Sequence, residues 1–193
     1  MNDEEKKDVI LNEILIPSLI LLYKVDYNNI LFKVSERNIC ARLALYLENR
    51  MRRYDKEHRS GLFYGYYADV EYDKMNNGDL KQYETPSHRP KRMISDLLIH
   101  SRGVPRNLLA VEMKQMKNYD KRREDRERLM AMVSTRPDNS NLRCVYDTLV
   151  GTFIIYSSDK VKIEVYENVD GNGVNTDSFE LIYDGEERVL YKP

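Results

Sequence analysis

Two acids and a lysine stand where apolar strands should carry no charge. Asp96 lies in the run Ile94-Ser95-Asp96-Leu97-Leu98-Ile99-His100. Glu112 and Lys114 lie in Asn107-Leu108-Leu109-Ala110-Val111-Glu112-Met113-Lys114. Both runs read as buried strands. The short Gly- and Pro-containing segment 101–106 between them makes the pair a hairpin. Facing residues of an antiparallel pair have a constant sum of positions, and a turn centred near Val104 puts Asp96 opposite Glu112 or one position off. Facing Cβ atoms lie roughly 4.5–5.5 Å apart. Two carboxylates that close in an apolar setting repel each other and lose hydration. A divalent cation between them removes both costs. Side chains two apart on a strand share a face, so Lys114 stands beside Glu112. Two carboxylates, an ion between them and a lysine beside them make a metal-plus-cation site. The plainer alternative is a Glu112–Lys114 salt bridge on one face, with Asp96 capping a strand end.

These residues need a scaffold, and the rest of the chain supplies one. Residues 35–52 read as a helix with Ser35 as N-cap and Ile39, Leu43, Leu47 and Met51 as its apolar stripe. Residues 62–72 alternate and are rich in Tyr, which suits a first strand. Residues 119–133 read as a charged amphipathic helix. Residues 149–156 form a continuous apolar run, as a parallel central strand should. The order is helix, three meandering strands, crossover helix, parallel strand. Residues 4–24 read as a helix broken or kinked near Pro17, packed on the sheet or on a second copy. Residues 73–92 and 134–144 read as polar loops. Segments 160–167, 179–184 and 188–191 read as three extra strands, the last two a hairpin around Asp184-Gly185.

The motif and the element order together resemble the PD-(D/E)XK nuclease superfamily. The resemblance covers residues 35–156. It implies an α/β restriction-endonuclease-like fold with an αβββαβ core and a mixed central sheet. One domain spans 1–193, with a helical extension at 1–34 and C-terminal strands at 157–193. By this resemblance Asp96, Glu112 and Lys114 are catalytic, with Glu36 as an additional helix glutamate. Asp96, Glu112, Glu36 and the backbone carbonyl of Met113 would ligate Mg²⁺ or Mn²⁺. The departure is Ser95, where the motif name has proline, a position that does no chemistry. Gln115 and Tyr119 match a spacing found in one nuclease branch, but they abut Lys114 instead of lying well along the helix. The expected activity is that of a Mg²⁺-dependent DNA endonuclease. The alternatives are a nuclease-fold module that binds nucleic acid or protein without cutting, and a homodimeric assembly module.

Bulk composition sets the outer limits. The chain has 193 residues, 41% hydrophobic and 33% charged, which suits one soluble domain with a real core. Its longest apolar stretch, 14–23, is too short to span a bilayer. The acidic, mixed amino terminus is unlike a secretory signal. Cys40 and Cys144 give no disulfide framework. A cytoplasmic location is therefore the default expectation. Net charge is −1, yet residues 86–136 carry 13 Lys and Arg against 6 Asp and Glu. That positive segment holds the candidate site and would draw a phosphate backbone. Arg89, Lys91, Arg92, Lys117 and Lys121 are its candidate phosphate contacts. The alternating signs of 121–128 also suit a simply solvated helix face. No P-loop, G-x-S-x-G or Cys/His zinc spacing competes with this site, and the three histidines are scattered.

Overall fold

Strands with apolar side chains on both faces need cover on both sides, and the chain provides it with helices before and after the hairpin. A computed structural model describes residues 1–71, 82–84, 90–92, 94–101, 106–135, 147–184 and 189–192. The helices are α1 (Asp3–Asp8), α2 (Ile16–Val25), α3 (Tyr27–Leu31), α4 (Glu36–His58) and α5 (Arg122–Val133), with a π-helical stretch at Val9–Leu15. The strands are β1 (Tyr66–Val70), β2 (Gln82–Glu84), β3 (Pro90–Arg92), β4 (Leu97–Ser101), β5 (Asn107–Gln115), β6 (Val150–Tyr156), β7 (Lys160–Val169), β8 (Asn172–Tyr183) and β9 (Val189–Lys192). Among the described residues, seven strands form one mixed sheet in the order β1-β4-β5-β6-β7-β8-β9. β1, β4 and β5 pair with one another antiparallel, and β6 runs parallel to β5. The expected mixed sheet and element order are therefore present.

Period-2 alternation divides the core. Leu97, Ile99, Leu109, Val111 and Met113 pack with Ile39, Leu43 and Leu47 of α4. Leu98, Ala110, Phe153 and Ile155 pack with Leu129, Met132 and Val133 of α5. Ser35 caps α4, its side chain accepting from the Asn38 N–H. Cys40 is buried beside Met113, sulfur to sulfur at 3.5 Å, as a small core residue.

Several expectations are corrected. The amino-terminal helix does not break at Pro17. Proline has no N–H to return to the carbonyl four residues back, which is that of Glu13. Arg50 of α4 takes that role, donating Nε and Nη2 to the Glu13 carbonyl at 3.1 and 2.8 Å. The helix therefore runs on, widened to π geometry upstream. Its apolar face is spent inside the chain: Ile10, Ile14, Leu15, Leu19 and Leu22 are all buried in the α4-side core. Asp26 fastens the end of this extension, accepting from Arg42 Nε at 2.8 Å and Tyr46 Oη at 2.5 Å. The first strand is shorter than 62–72, because Gly61 and Gly65 take positive φ and turn the chain before Tyr66. Segment 73–92 contains a small antiparallel pair, β2 with β3. Segment 168–178, polar in sequence, is mostly strand, since β8 pairs along the whole of β7.

The tip of the β7–β8 hairpin is tied to the end of α5. The Gly173 N–H donates to Ser134 Oγ at 2.8 Å, Asn168 Nδ2 to the Val133 carbonyl at 3.0 Å, and the Thr135 N–H to the Gly171 carbonyl at 3.0 Å. A Cβ on Gly173 would stand 2.0 Å from the Met130 carbonyl oxygen. Gly173→Ala should therefore force α5 and the hairpin apart and cost roughly 1–3 kcal/mol, the range for overpacking. The midpoint of urea unfolding measures this, and an unchanged midpoint would contradict the close approach.

Candidate functional site

The hairpin register decides which charges meet. Leu97 pairs with Val111, Leu98 with Ala110 and Ile99 with Leu109. Continued one step, this register sets Asp96, the residue before β4, against Glu112. Alternation puts Asp96, Glu112 and Lys114 on the face that carries Leu98 and Ala110, toward α5. The Asp96 carboxylate turns back on the strand, and its Oδ2 accepts the Met113 N–H at 2.7 Å. Glu112 is fully buried. Both its oxygens accept from Arg128 of α5, Oε1 from Nε at 2.6 Å and Oε2 from Nη2 at 2.7 Å. The same Nη2 donates to Asp125 Oδ1 at 2.7 Å. Asp125 is itself buried, and its Oδ2 has no hydrogen-bond partner among the described residues. Lys114 Nζ lies 3.6 Å from that Asp125 oxygen and 3.4 Å from Glu36 Oε2. Glu36, in the first turn of α4, also accepts the Gln115 N–H at 3.1 Å and Asn118 Nδ2 at 3.3 Å. An acid there is favoured by the unsatisfied N–H groups of the helix start.

Four carboxyl groups and two cations thus form one cluster, with a formal charge of −2 when all are ionised. Burial pushes the Asp96 carboxyl above its ordinary value, against the pull of the Met113 N–H. Burial pushes Glu112 up to about 8, against the Arg128 fork. Burial works against charge on Lys114, but Asp96, Asp125 and Glu36 outweigh it and hold the ammonium above its usual range. Lys114 is therefore a firmly held positive charge and a hydrogen-bond donor, better suited to orienting a water than to taking its proton.

The sequence-derived residues divide into those that converge and those that do not. Asp96, Glu112, Lys114 and Glu36 come together. Met113 joins through its N–H to Asp96, and its side chain points into the α4-side core. Lys117 and Lys121 are exposed, beyond the end of β5 and at the entrance to α5. Arg89 lies outside the described residues, and Lys91 and Arg92 are described as backbone of β3. Asp69 of β1 is 2.8 Å from Nε2 of the buried His100. Arg128 and Asp125 were not among the expected site residues. The signal for them was available: positions 125, 128, 129, 132 and 133 share one helix face, so two charges occupy an otherwise apolar stripe.

Among the described residues, no group of three His, Cys, Asp or Glu side chains is arranged to hold a metal ion in common. The donor chemistry nevertheless suits a hard divalent ion: oxygen donors only, a net negative cluster, and a buried carboxylate oxygen without a hydrogen bond. Among the described residues no helix is long and apolar enough to cross a membrane. Comparison with known proteins finds no family model that matches the chain, and no matching curated protein or solved structure.

The raised Glu112 carboxyl has a signed consequence. Its folded value of about 8 exceeds the ordinary 4.5. The stability it contributes is complete below about 4.5 and is lost as pH climbs toward 8. Wild-type protein should therefore lose stability across that window relative to Glu112→Gln, which cannot ionise. Denaturant midpoints of the two proteins at pH 5 and pH 8 test this, and parallel profiles would refute it.

Proposed function

We propose that this chain is a metal-dependent nuclease of the PD-(D/E)XK type that hydrolyses phosphodiester bonds in DNA. The observation that carries the reading is the convergence of Asp96, Glu112 and Lys114 on one sheet face, with Glu36 3.4 Å from Lys114. The succession α4, β1, β4, β5, α5, β6 supports the restriction-endonuclease-like fold, since it follows the αβββαβ order with β6 parallel to β5.

In this reading Asp96, Glu112 and the Met113 carbonyl hold Mg²⁺ or Mn²⁺, and Glu36 contributes from α4. A bound ion supplies an activated water and neutralises charge on the phosphate. Lys114 donates to the attacking water or to a phosphate oxygen and offsets the negative charge that grows there. Glu36 and Asp125 hold its ammonium in place, at 3.4 and 3.6 Å. Lys117 and Lys121, both exposed, support attraction of a nucleic-acid backbone. The basic residues of α5 contribute less to that surface than their number suggests. Arg122 donates to the backbone carbonyls of Gln115, Met116 and Asn118, and Arg126 forks onto Glu164.

One observation favours a second reading, a nuclease-fold module that binds without cutting. The Arg128 fork takes both Glu112 oxygens, which is how a site that has exchanged its ion for an internal cation would look. A nicking assay on plasmid and branched DNA, with and without Mg²⁺, separates the two. Wild-type protein should cut only with the ion, and Glu112→Gln should not cut. Lys114→Ala should still bind Mn²⁺ in calorimetry but lose roughly 10²–10⁴-fold in rate, the usual worth of a positioned proton-transfer or donor group. Wild-type protein that binds no divalent ion and cuts no nucleic acid would turn the assignment to the binding module.

A further inference from the structure

We propose that Arg128 is the resident counter-cation of this site, holding Glu112 and Asp125 until a divalent ion takes its place, and that Asp125 is a further carboxylate in that ion's binding set. The proposal rests on the nuclease reading but concerns two residues outside its motif. A guanidinium is planar and presents paired donors that match a carboxylate. Arg128 uses that fork on Glu112 and shares the same Nη2 with Asp125, so one cation bridges acids from a strand and from a helix. These are the oxygens an ion between the two elements would take. Arg128 and the ion perform the same electrostatic task on the same atoms, and they exclude each other.

The accessibility of the three groups fits an exchange. Glu112 and Asp125 are enclosed, with side chains 0% and 4% exposed, whereas the Arg128 side chain is 16% exposed. Arg128 is the member with a way out to solvent. Asp125 carries the independent mark of an incomplete shell. A buried carboxylate oxygen without a hydrogen bond is costly and uncommon, and Oδ2 is in that position, with Lys114 Nζ 3.6 Å away. It lies at the contact between β5 and α5, on the side of Lys114, whose other carboxylate neighbour is Glu36.

The test is Mn²⁺ calorimetry with thermal unfolding, with and without Mn²⁺, on wild type, Arg128→Met, Arg128→Lys and Asp125→Asn. Arg128→Met should melt lower than wild type without ion, bind Mn²⁺ at least tenfold more tightly, and gain more from it in Tm. Arg128→Lys keeps a positive charge, loses the fork and should fall between; it also guards against a methionine variant that fails to fold. Asp125→Asn should weaken Mn²⁺ binding roughly tenfold or more while leaving Arg128 on Glu112. If both Arg128 variants bind Mn²⁺ no more tightly than a wild type that does bind it, the counter-cation role falls and the nuclease reading stands. If Asp125→Asn binds as wild type does, Asp125 leaves the set. If none of the four proteins binds Mn²⁺, the proposed function fails along with this inference.

Discussion

A carboxyl group at the centre of a sheet is the constraint around which this molecule is arranged. Glu112 stands on β5, between β4 and β6, with no exposure to water. The effective penalty for taking one ion out of water is several kcal/mol, and no single contact offsets it here. Arg128 answers it directly, Asp125 shares that answer, and Lys114 and Glu36 extend the network to the first turn of α4. Such a network is a poor stability device. Replacing buried ion pairs by apolar groups of similar volume is often neutral or stabilising, whereas removing one partner is costly. An apolar side chain at 112 would have suited the sheet, as it does at Val111 and Met113. Retaining an acid there makes sense when the charge has a use.

The helices reflect the same division. α4 lays a fully apolar stripe on one face and contributes to the cluster only at its capped start. α5 is apolar in its second half and charged on its buried side in its first half, where it covers Glu112. The amino-terminal extension adds cover on the α4 side and is fastened at two polar points, Arg50 to the Glu13 carbonyl and Asp26 to Arg42 and Tyr46. None of these fastenings enters the cluster. They hold α4 in place, and α4 in turn holds Glu36.

What was legible in the sequence followed from local geometry. Period-2 alternation and a turn with one plausible centre place Asp96 against Glu112, and an N-cap with an apolar stripe places Glu36. The rest depended on partners distant in the chain. Arg128 and Asp125 hide in a run of alternating charges, which reads as solvated until β5 is known to lie beneath it. Segment 168–178 has no strand-like composition of its own, and its pairing is imposed by β7, itself held by β6. Pro17 reads as a break because the arginine that satisfies the freed carbonyl is 37 residues away.

The ties between the hairpin tip and the carboxyl end of α5 bear on time. A helix held at one end by Ser134, Val133 and Thr135 cannot slide or tilt without breaking those bonds and the close approach at Gly173. Rearrangement at its other end must then go through rotation about side-chain bonds. Such rotations run in picoseconds to nanoseconds at exposed positions, whereas helix shifts take microseconds to milliseconds. In the proposed function the ion would then meet a backbone already in its final form, and the rearrangement left to this centre would be the turning away of the Arg128 side chain.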